Sequence, residues 1–372
     1  MDFSLSDMHV EIRGLAHKIL GELATMEHLR ANEVNGPYLD NIIWQQCIEA
    51  GLHAAAMPES LGGSGMDVFA ATLVCEAIGQ TVASIPFIPC IVSTALPLQN
   101  YRQDPVVEKL LTDVVAGKTL ITTALLEPGN DEPKAPASTA SSSNGKWQVN
   151  GIKHCVPYAR HSAQVLIFAQ ADGNLWAGLV NPHGAGCMLV EQSITTREPQ
   201  YQLTLENAPA HCVAKGNVAQ LLLHTVTAMT TVACCSMAIG VADRMMRITG
   251  EYTSQREQFG MKIAAFQSVA HRLADCYIDI ECLKISTQKA TSDVAQGIYD
   301  SDAIHMAKVW CGDVLYRVSQ ASQHMHGGMG IDRDYHLFRY CLWAKQLELM
   351  LGNSRTHLEK IGEHLAQKYL AG

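Results

Sequence analysis

The chain has 372 residues, 48% of them apolar, enough to bury large cores and to suggest two or three domains. A formal charge of −9 and an isoelectric point near 5.9 argue against nucleic-acid or membrane-surface binding, because basic patches would shift the balance the other way. Twelve cysteines at irregular spacings, with no CxxC pair and with Cys234 and Cys235 adjacent, argue against a disulfide or zinc framework and for reduced, buried thiols in the cytosol.

Met1–Val10 holds two aspartates and no apolar run, so no secretory signal is expected there. From Met1 to about Gly117 the pattern is helical. Val10, Ile12, Leu15, Ile19, Leu20 and Leu23 recur at spacings of two to four and predict one apolar face. MPESLGGSGMD (Met57–Asp67) is a turn, an apolar helix follows over roughly Val68 to Val82, and SIPFIPC is broken by prolines. From Lys118 the period changes. TLITTALL, KWQV, QVLIFAQ, LWAGLV and CMLVEQ are short runs bounded by Asn-Gly, Asp-Gly and Pro-His-Gly, which predict strands. EPGNDEPKAPASTASSSNG reads as a Pro/Ser-rich loop between the first two. From about Asn217 the helical period returns. Thr225–Ala242 carries no charge and is long enough to raise the question of a membrane span, but its four threonines and one serine favour a helix inside a bundle. The expected organisation is helical at 1–117, β at 118–215 and helical at 216–372, an α+β and mainly α protein.

YTSQREQFG (Tyr252–Gly260), AAFQSVAHRLAD (Ala264–Asp275) and HMHGGMGID (His324–Asp332) resemble the acyl-CoA dehydrogenase family, in the right order and over the whole chain. The resemblance implies that family's fold: an N-terminal helical domain, a middle β-barrel-like domain and a C-terminal four-helix bundle. It also implies FAD as cofactor and removal of an α-proton from an acyl-CoA while the β-hydride passes to the flavin, with the protein supplying a base. In the family FAD lies across a subunit interface, so the two halves of the site can be compared separately.

The half that reaches across to a neighbouring subunit's cofactor has its counterparts here. Arg256 matches the arginine that meets the pyrophosphate, a contact suited to a planar, permanently charged fork. Phe259 matches an aromatic near the adenine side, Gln267 a polar contact on the next helix, and Gly327, Gly328 and Gly330 the glycines that let backbone approach the cofactor. The family glutamine before those glycines falls on His324, with Gln323 beside it. The half that grips the flavin ring is poorly matched. Glu127-Pro128-Gly129-Asn130-Asp131 stands for a longer loop motif, and after NGIK (Asn150–Lys153) a Trp-Ile-Thr is replaced by Cys155-Val156-Pro157, which removes a backbone N–H and a hydroxyl.

The thioester side has no carboxylate at either position the family uses. The principal glutamate falls on Leu351 and the alternative one on Thr230, while an Asp-x-x-Arg falls on Ala228 and Thr231. Glu348, one helical turn before Leu351, is the weak candidate for a base. His324-x-His326 has no third ligand nearby in sequence, so no metal is expected. The resemblance extends, through the ending AKQLELMLG, to the non-catalytic chains of α2β2 enzymes of bacterial steroid catabolism, which carry two flavins rather than four. Three readings follow. The chain is the partner of a homologous catalytic subunit in a heterotetramer acting on an acyl-CoA; or it is an active homotetramer with an atypical base; or it is a non-enzymatic flavin or acyl-CoA-binding assembly protein.

Overall fold

The computed structural model describes residues 4–34, 36, 38–130 and 132–370; Asp131 of the Glu127–Asp131 motif lies outside them. The N-terminal third forms α1 (Asp7–Leu23), α2 (Met26–Glu33), α3 (Asn41–Glu49), α4 (Val68–Thr81), the short α5 (Leu96–Leu98) and α6 (Pro105–Val115), with a π-helical stretch at Phe87–Ala95 where the prolines predicted a break. The Ser6 hydroxyl accepts from the His9 N–H and starts α1. α1 packs on α4 by a narrower stripe than its sequence predicts: Ala16 and Leu20 are buried, whereas Val10 and Leu15 remain 46% and 38% exposed.

The described residues divide into two compact units. One draws on Met1–Leu29, Val68–Ala83 and Thr231–Gly372, the other on Arg30–Asp67 and Ser84–Thr230. The second unit contains β1 (Leu120–Ala124), β2 (Thr139–Ser143), β3 (Lys146–Pro157), β4 (Ser162–Ala171), β5 (Asn174–Val180), β6 (Cys187–Gln192) and β7 (Gln200–Lys215). Pairings β4–β2, β2–β3, β3–β7, β7–β5 and β5–β4 close a ring, with β1 added beside β4 and β6 beside β7. The inward-facing Val149, Val156, Val165, Ile167, Trp176, Leu203 and Leu205 fill it. β2 lies within the stretch read as a loop. Only its Ala140 is buried, so it has little apolar signal of its own. The Asn144-Gly145 turn, with φ of 52° and 76°, folds it onto β3 as a two-residue hairpin.

Beyond β7 comes α7 (Asn217–Gln255), then a small hairpin of β8 (Glu257–Gln258) and β9 (Met261–Lys262), and α8 (Gln267–Ala295), α9 (Asp302–His326), α10 (Leu337–Leu349) and α11 (Ser354–Leu370). In the first unit α8, α10 and α11 all pack on α9. α7 is long and apolar enough to cross a membrane, but 94% of its most apolar window is buried within the protein, as a core helix requires.

α4 and α7 cross almost backbone to backbone. A Cβ at Gly240 would lie 2.0 Å from the Glu76 carbonyl oxygen, and one at Gly79 would lie 2.0 Å from that of Met237. Gly240→Ala is therefore expected to destabilise the chain by about 1–3 kcal/mol, because a packed crossing must open. Gly250→Ala, on the same helix with open space around it, should be neutral or stabilising by up to about 1 kcal/mol. Denaturant unfolding of the two variants tests this, and equal stabilities would refute the close-crossing account.

Candidate functional site

Three chain segments meet at one corner of the first unit. The α7 end and the α9 end are joined by a stack of Tyr252 on His326, with ring centroids 4.3 Å apart and planes 22° apart. His326 is held on both sides, Nδ1 donating to the Ser322 carbonyl at 2.7 Å and Nε2 accepting from the Tyr335 hydroxyl at 3.2 Å. Burial lowers its pKa, consistent with a neutral, structural ring. Arg256 follows Tyr252 by one turn and Gly327 follows His326 directly, so the stack ties the segment that carries Arg256 to the one that carries Gly327. The Ile263 N–H donates to the Arg256 carbonyl, which folds the β8–β9 hairpin back, and Phe259 at its tip meets Phe266 edge-on at 6.2 Å. Gln267 then begins α8.

α8 is fixed against α9 by Arg272, whose Nη1 lies 2.5 Å from His324 Nδ1. A guanidinium can only donate, so His324 Nδ1 accepts and the ring proton sits on Nε2. His324 is exposed and thus offers an N–H donor, the property a glutamine amide would bring there. The glycine turn is required by geometry. Gly327 adopts φ 57°, ψ −134°, and a Cβ at Gly330 would come 2.5 Å from the Gln323 carbonyl oxygen. Arg256, Gln267 and Gly327–Gly328 are exposed, Gln323 is half-buried, and Phe259 is 92% exposed with φ 54°. A cationic fork, an aromatic ring, amide and imidazole donors and a bare backbone turn therefore share one outward-facing corner.

The turn at Leu351 is built by two buried basic side chains. Lys308, with no exposed surface, donates from Nζ to the Leu347 and Glu348 carbonyls at 2.9 Å each, placing a cation on the C-terminal end of α10. His357 Nε2 donates to the Leu351 carbonyl at 3.0 Å. Leu351 itself has φ 59°, an uncommon conformation for a bulky residue, and Gly352 follows at φ 97°. The Glu348 carboxylate lies 2.5 Å from Lys345 Nζ, and its Cγ faces Gly312 of α9. Thr231 is buried on α7.

In the second unit the positions matched to ring and thioester contacts serve internal packing. The Thr230 hydroxyl donates to the Val226 carbonyl at 2.6 Å and meets the buried Ser93 hydroxyl at 2.8 Å, and Ala228 is buried. Cys155, at φ 47° in a bulge of β3, gives its N–H to Gln192 Oε1 at 2.8 Å. The N–H groups of His154 and Tyr158 go to the Leu126 and Pro199 carbonyls, and Pro157 has none. Glu127 is buried with Lys153, Oε1 to Nζ 2.6 Å, and also accepts from Ser138 and from the Ala137 and Ser138 N–H groups. Burial drives its carboxyl upward, but the hydrogen bonds from Lys153 and Ser138 and the lysine's charge win and bring its pKa to about 2.

Sequence reading did not single out Tyr252, Arg272, Lys308, His357 or Tyr335. Each acts through a partner from six to 74 residues away, and no local pattern reports that.

Family models for the acyl-CoA dehydrogenase N-terminal domain and C-terminal domain match residues 6–118 and 222–366. Among curated proteins, Acyl-CoA dehydrogenase FadE27 of Mycobacterium tuberculosis is 29% identical, with 99% of each chain covered. Among solved structures, a variant of the Tcur3481-Tcur3483 steroid ACAD is 32% identical with a TM-score of 0.93, covering 99% of this chain and 100% of that one. The ChsE4-ChsE5 complex from Mycobacterium tuberculosis is 30% identical with a TM-score of 0.91, covering 98% and 99%. Helices, closed sheet and similarity along the chain agree: the chain belongs to the acyl-CoA dehydrogenase family.

Proposed function

We propose that this chain is the non-catalytic subunit of a heteromeric acyl-CoA dehydrogenase, completing the FAD site of a homologous catalytic subunit and supplying no base of its own. The family's enzymes are oxidoreductases acting on CH–CH groups and use FAD, which accepts the hydride when bound. The observation that carries the reading is the contrast between two sets of residues. Of the residues matched to the cofactor, Arg256, Phe259, Gln267, His324, Gly327 and Gly328 are exposed and Gln323 is half-buried, while Leu351 and Thr230 put hydrocarbon and hydroxyl where a carboxylate is needed.

The corner fits the pyrophosphate and adenine end of the cofactor. Arg256 would pair with phosphate oxygens, His324 would donate through Nε2, the Gly327–Gly328 backbone admits close approach, and Phe259 would gain the cover it lacks within this chain. The 154–158 strand does not fit the ring, since the backbone donors at 154, 155 and 158 are already used and position 157 has none. Glu348 is engaged by Lys345, which weighs against the active-homotetramer reading. We further propose an α2β2 assembly in the cytoplasm acting on a CoA thioester with a steroid side chain. The Tcur3481-Tcur3483 steroid ACAD and the ChsE4-ChsE5 complex, 32% and 30% identical to this chain, support this.

The test is to purify the chain alone and together with a homologous catalytic chain, then measure FAD per chain and acyl-CoA oxidation. The expected result is no turnover alone, and turnover with half a flavin per chain in the complex. One FAD per chain with turnover in isolation overturns the proposal in favour of an active homotetramer. A complex that forms but shows neither flavin nor turnover leaves an assembly role and overturns it equally.

A further inference from the structure

A second cluster of chemistry-bearing side chains lies in the first unit, where the turn before α9 meets α11. Asp300 Oδ1 lies 3.2 Å from His305 Nε2 and 3.7 Å from His364 Nε2, and one donor atom of each residue lies within 4.8 Å of the others. The two imidazole rings stand 5.4 Å apart, centre to centre. His305 is 9% exposed at its side chain, His364 24% and Asp300 40%, so the group runs from the interior to an open cleft lined also by Lys289, Asp293 and Lys368.

The hydrogen bonds behind the rings fix their protons. His357 Nε2 faces the Leu351 carbonyl, which only accepts, so His357 carries its proton on Nε2. With that bond made, a neutral His357 presents its Nδ1 as a lone pair. That nitrogen lies 2.9 Å from His305 Nδ1, so His305 must donate there and, when neutral, present the Nε2 lone pair to Asp300. His364 is set in the same way. Its Nδ1 donates to Asp302 Oδ1 at 2.8 Å, Asp302 is itself held by Lys368 at 2.8 Å, and the Nε2 lone pair turns toward Asp300. With both histidines neutral, two imidazole lone pairs and a carboxylate converge, and each histidine is backed by an acceptor at Nδ1. Ligating histidines are oriented in this way.

We infer that Asp300, His305 and His364 form a site for a divalent transition-metal ion, zinc or a similar borderline ion, that ties the start of α9 to α11. Two ligands each about 2.0–2.2 Å from a tetrahedral ion stand ~3.4 Å apart, close to the separations of the two histidines from Asp300. Two imidazoles with one carboxylate select against magnesium and calcium, which take oxygen donors. The cleft side leaves room for water as the fourth ligand. Through His305 and His357 the site reaches the carbonyl of Leu351, so the ion would brace the turn that occupies the position of the family's base. Sequence reading expected no metal, because these residues are separated by up to 64 positions and the one histidine pair it considered, His324 and His326, is elsewhere.

The experiment uses the tag-free full-length chain, treated with chelator and titrated with Zn(II) by calorimetry and with Co(II) by visible absorption at pH 7.5. One equivalent should bind saturably with cobalt bands of a nitrogen- and oxygen-ligated ion, and the melting temperature should rise. Asp300→Asn and His364→Ala change exposed or half-exposed residues and should fold. Each should weaken binding 10- to 100-fold and lose the thermal shift. Absence of saturable binding at one equivalent overturns the site, as does binding unchanged in both variants. If Zn(II) does not displace the hydrogen bond between His305 and Asp300, the inference fails.

Discussion

Replacing Arg256 with alanine should lower FAD affinity of the assembled complex by roughly 10- to 150-fold without unfolding this subunit. The side chain is exposed, and within the chain it is the Arg256 backbone, through the Tyr252 and Ile263 hydrogen bonds, that organises the α7 end. The fold therefore does not depend on the guanidinium. A charge-assisted contact to a pyrophosphate is worth about 1.5–3 kcal/mol, and each 1.4 kcal/mol is tenfold in affinity. The loss would appear as flavin released from the complex on gel filtration and as a raised Kd on adding FAD back. Arg355→Ala, with its side chain 87% exposed on α11, serves as the control and should leave flavin content unchanged. A complex that keeps its full flavin after Arg256→Ala would show that this corner does not reach the cofactor. On the proposed division between subunits the variant alters one chain and the flavin chemistry occurs on the other, so the experiment also separates a shared site from two independent ones.

How much of this was legible beforehand depends on the reach of each interaction. The periodic signal of α7 and the Asn-Gly turn before β3 are local, and both appear where the sequence puts them. β2 escaped because its serines carry no apolar alternation and its place is dictated by β3 through the hairpin. β7 alternates Tyr201, Leu203 and Leu205 toward the core, a signal that was available and was not read as a strand. At the corner proposed for the cofactor the sequence supplied Arg256, Phe259 and the glycines, but not the Tyr252–His326 stack or the Arg272–His324 contact that tie their segments together. Those contacts span 74 and 52 positions. The departure at His324 is explained only by the structure, because its value as a donor depends on Arg272 occupying Nδ1.

The largest effect on stability is expected at Glu127, which opens the poorly matched Glu127–Asp131 loop, and at Lys153, which closes the NGIK segment. In the structure they form a dry ion pair inside the second unit, where Glu127 also holds the Ala137 and Ser138 N–H groups and Lys153 donates to the Phe168 carbonyl at 2.7 Å. Lys153→Met should cost about 3–5 kcal/mol at pH 7, because it leaves an unpaired buried carboxylate, and the double change Lys153→Met with Glu127→Leu should recover part of that loss. The acid dependence has a defined sign. Glu127 falls from an ordinary 4.5 to about 2 on folding, so its contribution is present above pH 4.5 and disappears as pH drops through 2. The full linkage is on the order of 3 kcal/mol for the carboxylate alone. Burial pushes the lysine's pKa down, against its charged form, so the net worth of the pair is smaller. Urea unfolding across pH 7 to 3 should therefore show wild-type stability falling through this window and a flatter profile in Lys153→Met. A variant within 1 kcal/mol of wild type at pH 7 would refute the assignment. If the loss is as large as expected, the Glu-Pro and Asn-Gly-Ile-Lys segments serve the barrel itself, whether or not a flavin ring is seated beside them.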